Sequence, residues 1–188
     1  MRLLPFWSNE IRLARSSPSG VVIPAHNEEV GIASTLESLR NLNYPSSHCR
    51  ILVVADRCTD GTAAVAKRWG AECFERVDGQ PGKGAALAWG IQQARSARIA
   101  FEAVVIVDAD TLADRDLLLA FNEELQAGRQ VQQGYNYISN PWASPFTRII
   151  AVTGVLRNGR YYAGKTALGL QGMLTGTGMC LSAGVLER

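Results

Sequence analysis

The fold is decided by one stretch, Val104-Val105-Ile106-Val107-Asp108-Ala109-Asp110-Thr111. Its four consecutive apolar residues, three of them valine, predict a strand that is buried on both faces, as in a parallel sheet. Two acids follow where that strand is expected to end. Because side chains at positions i and i+2 of a strand point to the same side, Asp108 and Asp110 are expected to present their carboxylates together.

The paired acids predict a metal site at an edge of the sheet. Open α/β sheets bind ligands at the carboxyl ends of their strands. Paired carboxylates suit Mg²⁺ or Mn²⁺, and these ions accompany phosphate-bearing substrates. The alternative is that both are turn acids that open the helix expected near Asp114. Taken alone, the D-x-D pattern favours this alternative, so the rest of the chain must decide.

Length and composition indicate one soluble globular domain. The chain has 188 residues, of which 47% are hydrophobic and 19% charged, enough to bury a core. A net charge of +2, with Lys67-Arg68 as the longest basic run, argues against nucleic acid as a partner. The four cysteines form no C-x-x-C pair, so we expect reduced thiols in a cytoplasmic protein. No apolar segment approaches the roughly 20 residues that span a bilayer.

The order of predicted elements indicates an α/β fold with a doubly wound, mostly parallel sheet flanked by helices. Residues 1–20 are expected to form an N-terminal arm or linker, and residues 21–188 a single domain. Asn27 is the predicted N-cap of the first helix of this domain. Strands are predicted at 21–23, 51–54, 73–77, 104–107 and 131–138. The first helix is expected to carry Val30, Ile32, Leu36 and Leu39 on its apolar face, and later helices are expected at about 59–69, 85–100, 114–127 and 141–168.

Polar groups follow each of the first strands, so all of them are expected along one carboxyl edge. They are His26-Asn27-Glu28, Asp56, the loop Gly82-Lys83-Gly84, and Asp108 with Asp110. An acid at position 56 suits a base or ribose, and a lysine opening a helix suits a diphosphate. An ordinary turn acid and a surface loop are the respective alternatives. The spacing excludes a P-loop and a G-x-G-x-x-G dinucleotide site.

Five segments in the same order resemble family 2 glycosyltransferases. They are VVIPAHNEE (21–29), VVADRCTDGT (53–62), GKGAAL (82–87), VDADT (107–111) and GTGMC (176–180). The resemblance implies the GT-A fold, a single Rossmann-like domain with a mixed central sheet. It is greatest to the membrane-associated branch that contains cellulose and hyaluronan synthase-like enzymes.

The resemblance also implies roles for individual residues. Asp56 would bind the base, Lys83 would lie near the diphosphate, and Asp108 would support the ribose or sugar. Asp110, together with Asp108, would ligate Mg²⁺ or Mn²⁺. His26 departs from the aromatic residue common in the family and is expected to be a polar wall of the base pocket. The rest of the nucleotide pocket would be Pro24, Ala25, Asn27 and Glu28, and the acceptor side Thr175, Gly176, Thr177 and Gly178.

The implied reaction is inverting transfer of a sugar from a nucleotide-diphospho-sugar, with a UDP-sugar favoured, to a saccharide or lipid-linked acceptor hydroxyl. Such reactions belong to polysaccharide or glycolipid synthesis. The family places its catalytic carboxylate after the G-x-G-M segment, and Arg188 precedes any such motif. We therefore expect a truncated chain with impaired transfer and assign no catalytic base up to Arg188. Its expected place is the cytoplasm or, for a full-length form, the cytoplasmic membrane face.

Two other functions remain open from the sequence, as does a third possibility, that another polypeptide supplies the absent catalytic elements. A non-catalytic nucleotide-binding or assembly module would need only the donor-side groups. A sugar-phosphate nucleotidyltransferase would share the sheet and the paired acids, but it should carry a Gly-rich, Arg-containing loop directly after the first strand. The residues found there are Pro24-Ala25-His26-Asn27.

Overall fold

The computed structural model describes residues 18–170 and 172–187 as one alternation of strands and helices. Residues 1–17 of the predicted arm lie outside this part. The first half contains β1 (Ser19–Ala25), α1 (Ile32–Arg40), β2 (Cys49–Asp56), α2 (Thr62–Arg68), β3 (Glu72–Arg76), α3 (Lys83–Ser96) and β4 (Ala103–Ile106). The second half contains α4 (Leu117–Gln126), β5 (Val131–Gln133), α5 (Pro145–Leu156), α6 (Ala163–Ala167), β6 (Met179–Ser182) and α7 (Ala183–Leu186). A 3₁₀ turn covers Ser46–His48, and a π-helical segment, Arg157–Tyr162, joins α5 to α6.

The six strands form one mixed sheet in the order β3-β2-β1-β4-β6-β5. The first four strands are parallel, and β6 runs antiparallel to both β4 and β5. Val22 in the central strand pairs with Leu52 on one side and Ile106 on the other. The predicted α/β architecture with a mostly parallel, mixed sheet is confirmed.

The core has two layers because successive residues of the central strands point to opposite faces of the sheet. On one face, Val21, Ile23 and Val105 pack with α1 and α4. On the other face, Val22 and Val54 pack against α3. A Cβ on Gly90 of α3 would lie 2.2 Å from Val54 Cγ2, so only glycine allows this helix its close approach.

The predicted element boundaries need correction at the first strand and helix. β1 begins at Ser19 and continues through Pro24, whereas the prediction stopped the strand at Ile23. Proline is tolerated because β4 pairs with β1 only as far as Val22, so no ladder bond is lost there. The prediction that Asn27 is the N-cap of the first helix is wrong, because the N-cap of α1 is Gly31.

The predicted length of the strand that starts at Val131 was too great. β5 covers only Val131–Gln133, not residues 131–138. Beyond it one backbone bond remains, from the Gly134 N–H to the Gly178 carbonyl oxygen at 2.7 Å. A side-chain bond follows, in which Asn136 Nδ2 donates to the carbonyl oxygen of Thr177 at 2.9 Å. The predicted helical character of residues 141–168 is confirmed by α5, the π-helical segment and α6.

The cysteines are free thiols in the described part of the chain, as predicted. Cys180 is fully buried in β6, and this burial raises the pKa of its thiol to about 12. No helix within residues 18–170 and 172–187 has both the length and the apolar character that crossing a bilayer requires.

Candidate functional site

Six of the predicted site residues line one cavity at the carboxyl edge of the sheet. The cavity has a volume of about 340 Å³ and opens where β1 and β2 end and α3 begins. The predicted residues around it are Pro24, Ala25, His26, Glu28, Asp56 and Lys83, joined by Arg57, Gly82 and Ala86. Residues from position 24 to position 86 of the chain thus converge on one concave surface.

Asp56 is the buried anion of this cavity, with only 5% of its surface exposed at the end of β2. Arg76 Nη1 donates to its Oδ1 at 2.8 Å, and Arg57 Nη2 donates to its Oδ2 at 3.1 Å. Burial alone would raise the pKa of this carboxyl group, but the hydrogen bonds from the two arginines outweigh burial and lower it. Asp56 is therefore an ionised acceptor held in a fixed orientation.

The two arginines were not identified from the sequence. Arg76 is the register partner of Asp56 across β2 and β3, a pairing that the sequence does not display. Arg57 directly follows Asp56 and has a left-handed backbone with φ of 51°, which a hydrogen bond from its N–H to the Arg76 carbonyl helps to hold. The adjacency of Asp56 and Arg57 was the one available signal.

His26 lies at the exposed rim of the cavity, in keeping with its predicted place in the wall of the pocket. Its Nδ1 lies 2.7 Å from the carbonyl oxygen of Asp56. Because a carbonyl only accepts, Nδ1 carries the proton in this contact. Nε2 is the ring nitrogen left to face a ligand.

Asn27 does not line the cavity. Its Oδ1 accepts a hydrogen bond from the Thr59 N–H at 2.8 Å, and its own φ is 56°. The neighbouring Glu28 N–H donates to Thr62 Oγ1 at 2.8 Å. These bonds connect the loop after β1 to the loop after β2. Asn27 therefore stabilises the loops around the cavity, whereas Glu28 lines the cavity itself.

Lys83 connects the cavity to the second half of the chain. It is the first residue of α3, after Gly82 with φ of 116°. Its ammonium group forms an ion pair with the Asp108 carboxylate and donates to the carbonyl oxygen of Gly176 at 2.6 Å. The Lys83 ammonium group, at the predicted diphosphate position, therefore contacts both Asp108 after β4 and Gly176 on the predicted acceptor side.

The predicted acceptor-side residues 175–178 form an ordered loop next to Asp108. The Asp108 N–H donates to Thr177 Oγ1 at 3.0 Å, and the Thr175 N–H donates to Gln133 Oε1 at 2.8 Å. Gly176 and Gly178 have φ of 99° and 65°, which only glycine adopts readily. Gln133 and Asn136, which hold this loop, were not predicted.

Asp108 and Asp110 lie beyond the end of β4, not within the strand. β4 ends at Ile106, and the two acids lie in a turn in which the Thr111 N–H donates to the Asp108 carbonyl at 3.1 Å. Ala109 between them is buried, Asp108 is partly exposed, and Asp110 is exposed. The strand alternation that was predicted to align the two carboxylates therefore does not apply to them, although both acids are reached by solvent.

The alternative of two acids that open a helix does not describe this turn. α4 begins at Leu117, and the acid that accepts a backbone N–H just before it is Asp114, which bonds the Asp116 N–H at 2.9 Å. Within residues 18–170 and 172–187, the Asp110 carboxylate has no hydrogen bond or ion pair. It is free to ligate a cation.

The donor set fits a hard divalent ion that is shared with a ligand. Nowhere in the described ranges do three or more His, Cys, Asp or Glu side chains come together as a complete metal centre. A free carboxylate at Asp110, with a second at Asp108 already paired to Lys83, instead leaves most coordination positions open. Such partial sites suit Mg²⁺ or Mn²⁺, which take their remaining oxygens from water and phosphates.

Comparison with known sequences gives one family. Residues 20–184 match the family model described as Glycosyl transferase family 2. The chain is 26% identical to the probable glycosyltransferase YdaM of Bacillus subtilis, over 100% of the chain and 45% of that protein. It is 35% identical to the 4,4'-diaponeurosporenoate glycosyltransferase of Staphylococcus aureus, over 56% of the chain and 28% of that protein. The chain thus spans less than half the length of these relatives.

Solved structures share the fold. Glucosyl-3-phosphoglycerate synthase of Mycobacterium tuberculosis, crystallised with Mn²⁺, UDP and glucosyl-3-phosphoglycerate, aligns with a TM-score of 0.61 at 22% identity, over 97% of this chain and 63% of that one. The mannosyltransferase PcManGT of Pyrobaculum calidifontis, in complex with GDP-Man and Mn²⁺, aligns with a TM-score of 0.66 at 23% identity, over 92% and 46%. The predicted GT-A architecture is confirmed.

Proposed function

This chain belongs to glycosyl transferase family 2, and we propose that it binds a nucleotide-diphospho-sugar with Mn²⁺ or Mg²⁺ for transfer of the sugar to an acceptor hydroxyl. The observation that carries the proposal is the convergence of Asp56, Lys83 and Asp108. Asp56 and Lys83 line one cavity, and Lys83 forms an ion pair with Asp108. An acceptor for a base, a cation for phosphates and a carboxylate edge therefore lie in sequence along one surface.

The base end of the donor belongs at Asp56. An ionised carboxylate accepts hydrogen bonds, and the adjoining Arg57 guanidinium supplies donors at the same wall of the cavity. Uracil and guanine both present N–H donors and a carbonyl oxygen, so this wall suits either base, and a UDP-sugar is favoured only by the resemblance. The relatives crystallised with UDP or GDP-Man make these the two nucleotides to compare.

The diphosphate belongs at the start of α3. This helix has 14 residues, and its first-turn N–H groups and Lys83 both attract anions. Lys83 is already paired with Asp108 and Gly176, so a bound diphosphate would share or replace these partners. Binding of the donor is then coupled to the position of the acceptor-side loop.

Asp110, with Asp108 beside it, would hold the divalent ion. A bound cation supplies positive charge that offsets the charge developing on the departing diphosphate. Lys83 contributes a fixed positive charge to the same region. Asp108 holds Lys83 in place through the ion pair, and its backbone N–H anchors Thr177.

The acceptor belongs on the side of residues 175–178, and we propose a saccharide or lipid-linked hydroxyl that attacks with inversion. The loop is held by Gln133 and Asn136 rather than by the donor cavity alone. Lys83, which lines the donor cavity, donates to the Gly176 carbonyl oxygen of this loop, so an acceptor bound there would lie next to the donor. The proposed place of action is the cytoplasm or the cytoplasmic membrane face, as the resemblance implies.

Titration calorimetry with UDP and GDP, each with and without Mn²⁺, tests the donor site directly. We expect Mn²⁺-dependent binding of at least one nucleotide. Asp110→Asn should remove most of the metal dependence while leaving the fold intact, because Asp110 is exposed. Metal-independent binding, or no binding of either nucleotide, would contradict the proposed site.

Lys83→Met removes the proposed phosphate contact together with the ion pair to Asp108. We expect nucleotide affinity to fall at least about tenfold, because a charge-assisted hydrogen bond contributes about 1.5–3 kcal/mol. The matched control is Lys67→Met, in which the lost ammonium group belongs to an exposed pair with Glu75. Equal affinities of the two variants would remove Lys83 from the site.

A non-catalytic nucleotide-binding module is the remaining alternative, because donor-side groups by themselves bind without transferring. Product formation from a radiolabelled UDP-sugar separates the two functions. The nucleotidyltransferase alternative loses support from the family match and from the loop after β1, which is not the Gly-rich, Arg-containing loop that function requires.

A further inference from the structure

The exposed apolar residues of this protein are concentrated in one region. Eighteen large hydrophobic residues are exposed in the described part of the chain, and 14 of them lie between residues 135 and 174. We call this region the 135–174 face. Soluble proteins seldom leave such a concentration uncovered unless it contacts something. Its members with at least 60% of their surface exposed include Tyr137, Trp142, Phe146, Ile149, Tyr161 and Leu168.

Helix α5 is the centre of this face, and it does not depend on the core. None of its twelve residues is buried. Its start is held locally by a capping box, in which Ser144 Oγ accepts from the Thr147 N–H at 3.1 Å. Most helices in proteins are stabilised by packing of an apolar face. α5 is apolar around most of its circumference, which is typical of a helix surrounded by protein or lipid.

The charge of the face has one sign. Residues 125–186 contain no aspartate or glutamate, whereas residues 135–174 contain four basic residues: Arg148, Arg157, Arg160 and Lys165. The Arg148 guanidinium lies 5.2 Å from the centre of the Trp142 ring, and the Lys165 ammonium lies 5.7 Å from that of Tyr161. Basic groups beside aromatic rings and aliphatic side chains are the combination that interfacial helices use at a membrane.

We propose that the 135–174 face binds the surface of a bilayer that contains anionic phospholipid. The acid-free, basic surface complements anionic headgroups, and the exposed Phe146 and Ile149 can enter the boundary between headgroups and acyl chains. A second copy of the chain fits less well, since pairing two such faces would oppose charges of the same sign. The contact is peripheral and requires no spanning helix.

The face is joined mechanically to the acceptor-side loop. Asn158 Nδ2 in the π-helical segment donates to the Asn136 carbonyl at 2.7 Å, and Asn136 Nδ2 donates to the Thr177 carbonyl at 2.9 Å. Exposed Met173 and Leu174 directly precede Thr175. Bilayer contact would therefore place the acceptor side next to the lipid; this consequence rests on the proposed function, whereas the contact itself does not.

Vesicle flotation of the full chain, without nucleotide, tests the contact. The vesicles contain phosphatidylcholine alone or mixed with phosphatidylglycerol, at low and at high salt. We expect binding to the mixed vesicles, weakened at high salt because ions screen the exposed basic groups. Equal binding to both vesicle types, or to neither, would overturn the proposal while leaving nucleotide binding unaffected.

Two double variants separate the apolar and charged contributions. Phe146→Ser with Ile149→Ser should lower vesicle partitioning at least about tenfold. Arg157→Glu with Arg160→Glu should also lower it at least about tenfold, since each basic group near an anionic surface contributes about fivefold. The matched controls, Val77→Ser and Arg68→Glu, change exposed residues outside the face and should bind as the unaltered chain does.

Light scattering distinguishes a protein partner from lipid. If the chain self-associates without vesicles, and the apolar double variant abolishes that association while vesicle binding is absent, the face joins two copies and the bilayer proposal is wrong. Circular dichroism and calorimetry with nucleotide check that each variant is folded. A folded double variant that still floats like the controls would equally overturn the proposal.

Discussion

Two apolar segments of this protein differ in burial. Val104–Ile106 in β4 is fully enclosed between helices on both faces of the sheet, whereas Ile149–Leu156 in α5 contributes no buried residue. Both segments look like core in the sequence. The difference shows that an apolar run predicts a segment that is favourable to bury. Whether the chain itself buries that segment depends on the fold.

Charged groups divide along the same boundary. In the parallel part, Asp56 and Arg76 are both buried and satisfy each other. In the 135–174 face, the basic groups have no acid in their own segment to pair with. The parallel part is thus complete in itself, and the face carries unmatched charge as well as unmatched apolar surface. Substitutions in the two regions should therefore affect different measurements.

The largest expected effect comes from the core. Leu36→Ala, at a site that is 1% exposed, should lower the free energy of unfolding by about 2–5 kcal/mol, because it removes buried methyl groups and leaves a cavity. Urea denaturation followed by circular dichroism measures it. A loss below about 1 kcal/mol would mean that α1 is not packed as the structure shows.

The buried ion pair should come next. Arg76→Met should destabilise the fold by about 3 kcal/mol, the lower end of the range for breaking a buried pair, because Arg57 still contacts Asp56. Arg50→Met is the matched control, since the Arg50–Glu72 pair is exposed and such pairs contribute at most about 1 kcal/mol. Similar losses for the two variants would show that the Asp56 cluster is not sequestered.

Lowering the pH should reduce the difference in unfolding free energy between the unaltered chain and Arg76→Met. The folded pKa of Asp56 lies below its ordinary value of 3.8. A depressed carboxyl pKa stabilises the fold above the unfolded value, and this stabilisation is lost as pH falls through the folded value. Denaturation midpoints measured from pH 7 downward should therefore converge below about pH 4. If the difference between the two midpoints stayed constant with pH, Arg76 would stabilise the fold by packing and not by its ion pair with Asp56.

The smallest expected effect is the sharpest test of the comparison. Leu156→Ala makes the same chemical change as Leu36→Ala, but at a residue that is 58% exposed. It should alter the free energy of unfolding by no more than about 0.5 kcal/mol, while still weakening binding to anionic vesicles. A loss comparable to that of Leu36→Ala would mean that the 135–174 face is covered within the chain.

Sequence patterns predicted the parallel part well because burial there is dictated by short-range periodicity. The apolar strand runs, the left-handed glycines Gly70 and Gly128 after α2 and α4, and the burial of three α1 residues follow from local rules. Val30, predicted on the same apolar face, precedes α1 and is 92% exposed. Errors arose where a tertiary contact replaced a local one. Asn27 fits an N-cap locally, yet its side chain is used by Thr59 in another loop.

The sequence by itself determined the alternation of strands and helices, the order of polar groups after each strand, and hence the carboxyl edge on which they meet. It determined these because apolar periodicity, and the polar residues that interrupt it, are local features of the chain. Only the tertiary structure decided that Arg76 pairs with Asp56 and that Lys83 reaches Asp108 and Gly176. It likewise decided that α5 remains uncovered. These features depend on register and on packing between distant segments, and neither is encoded in any local stretch of the chain.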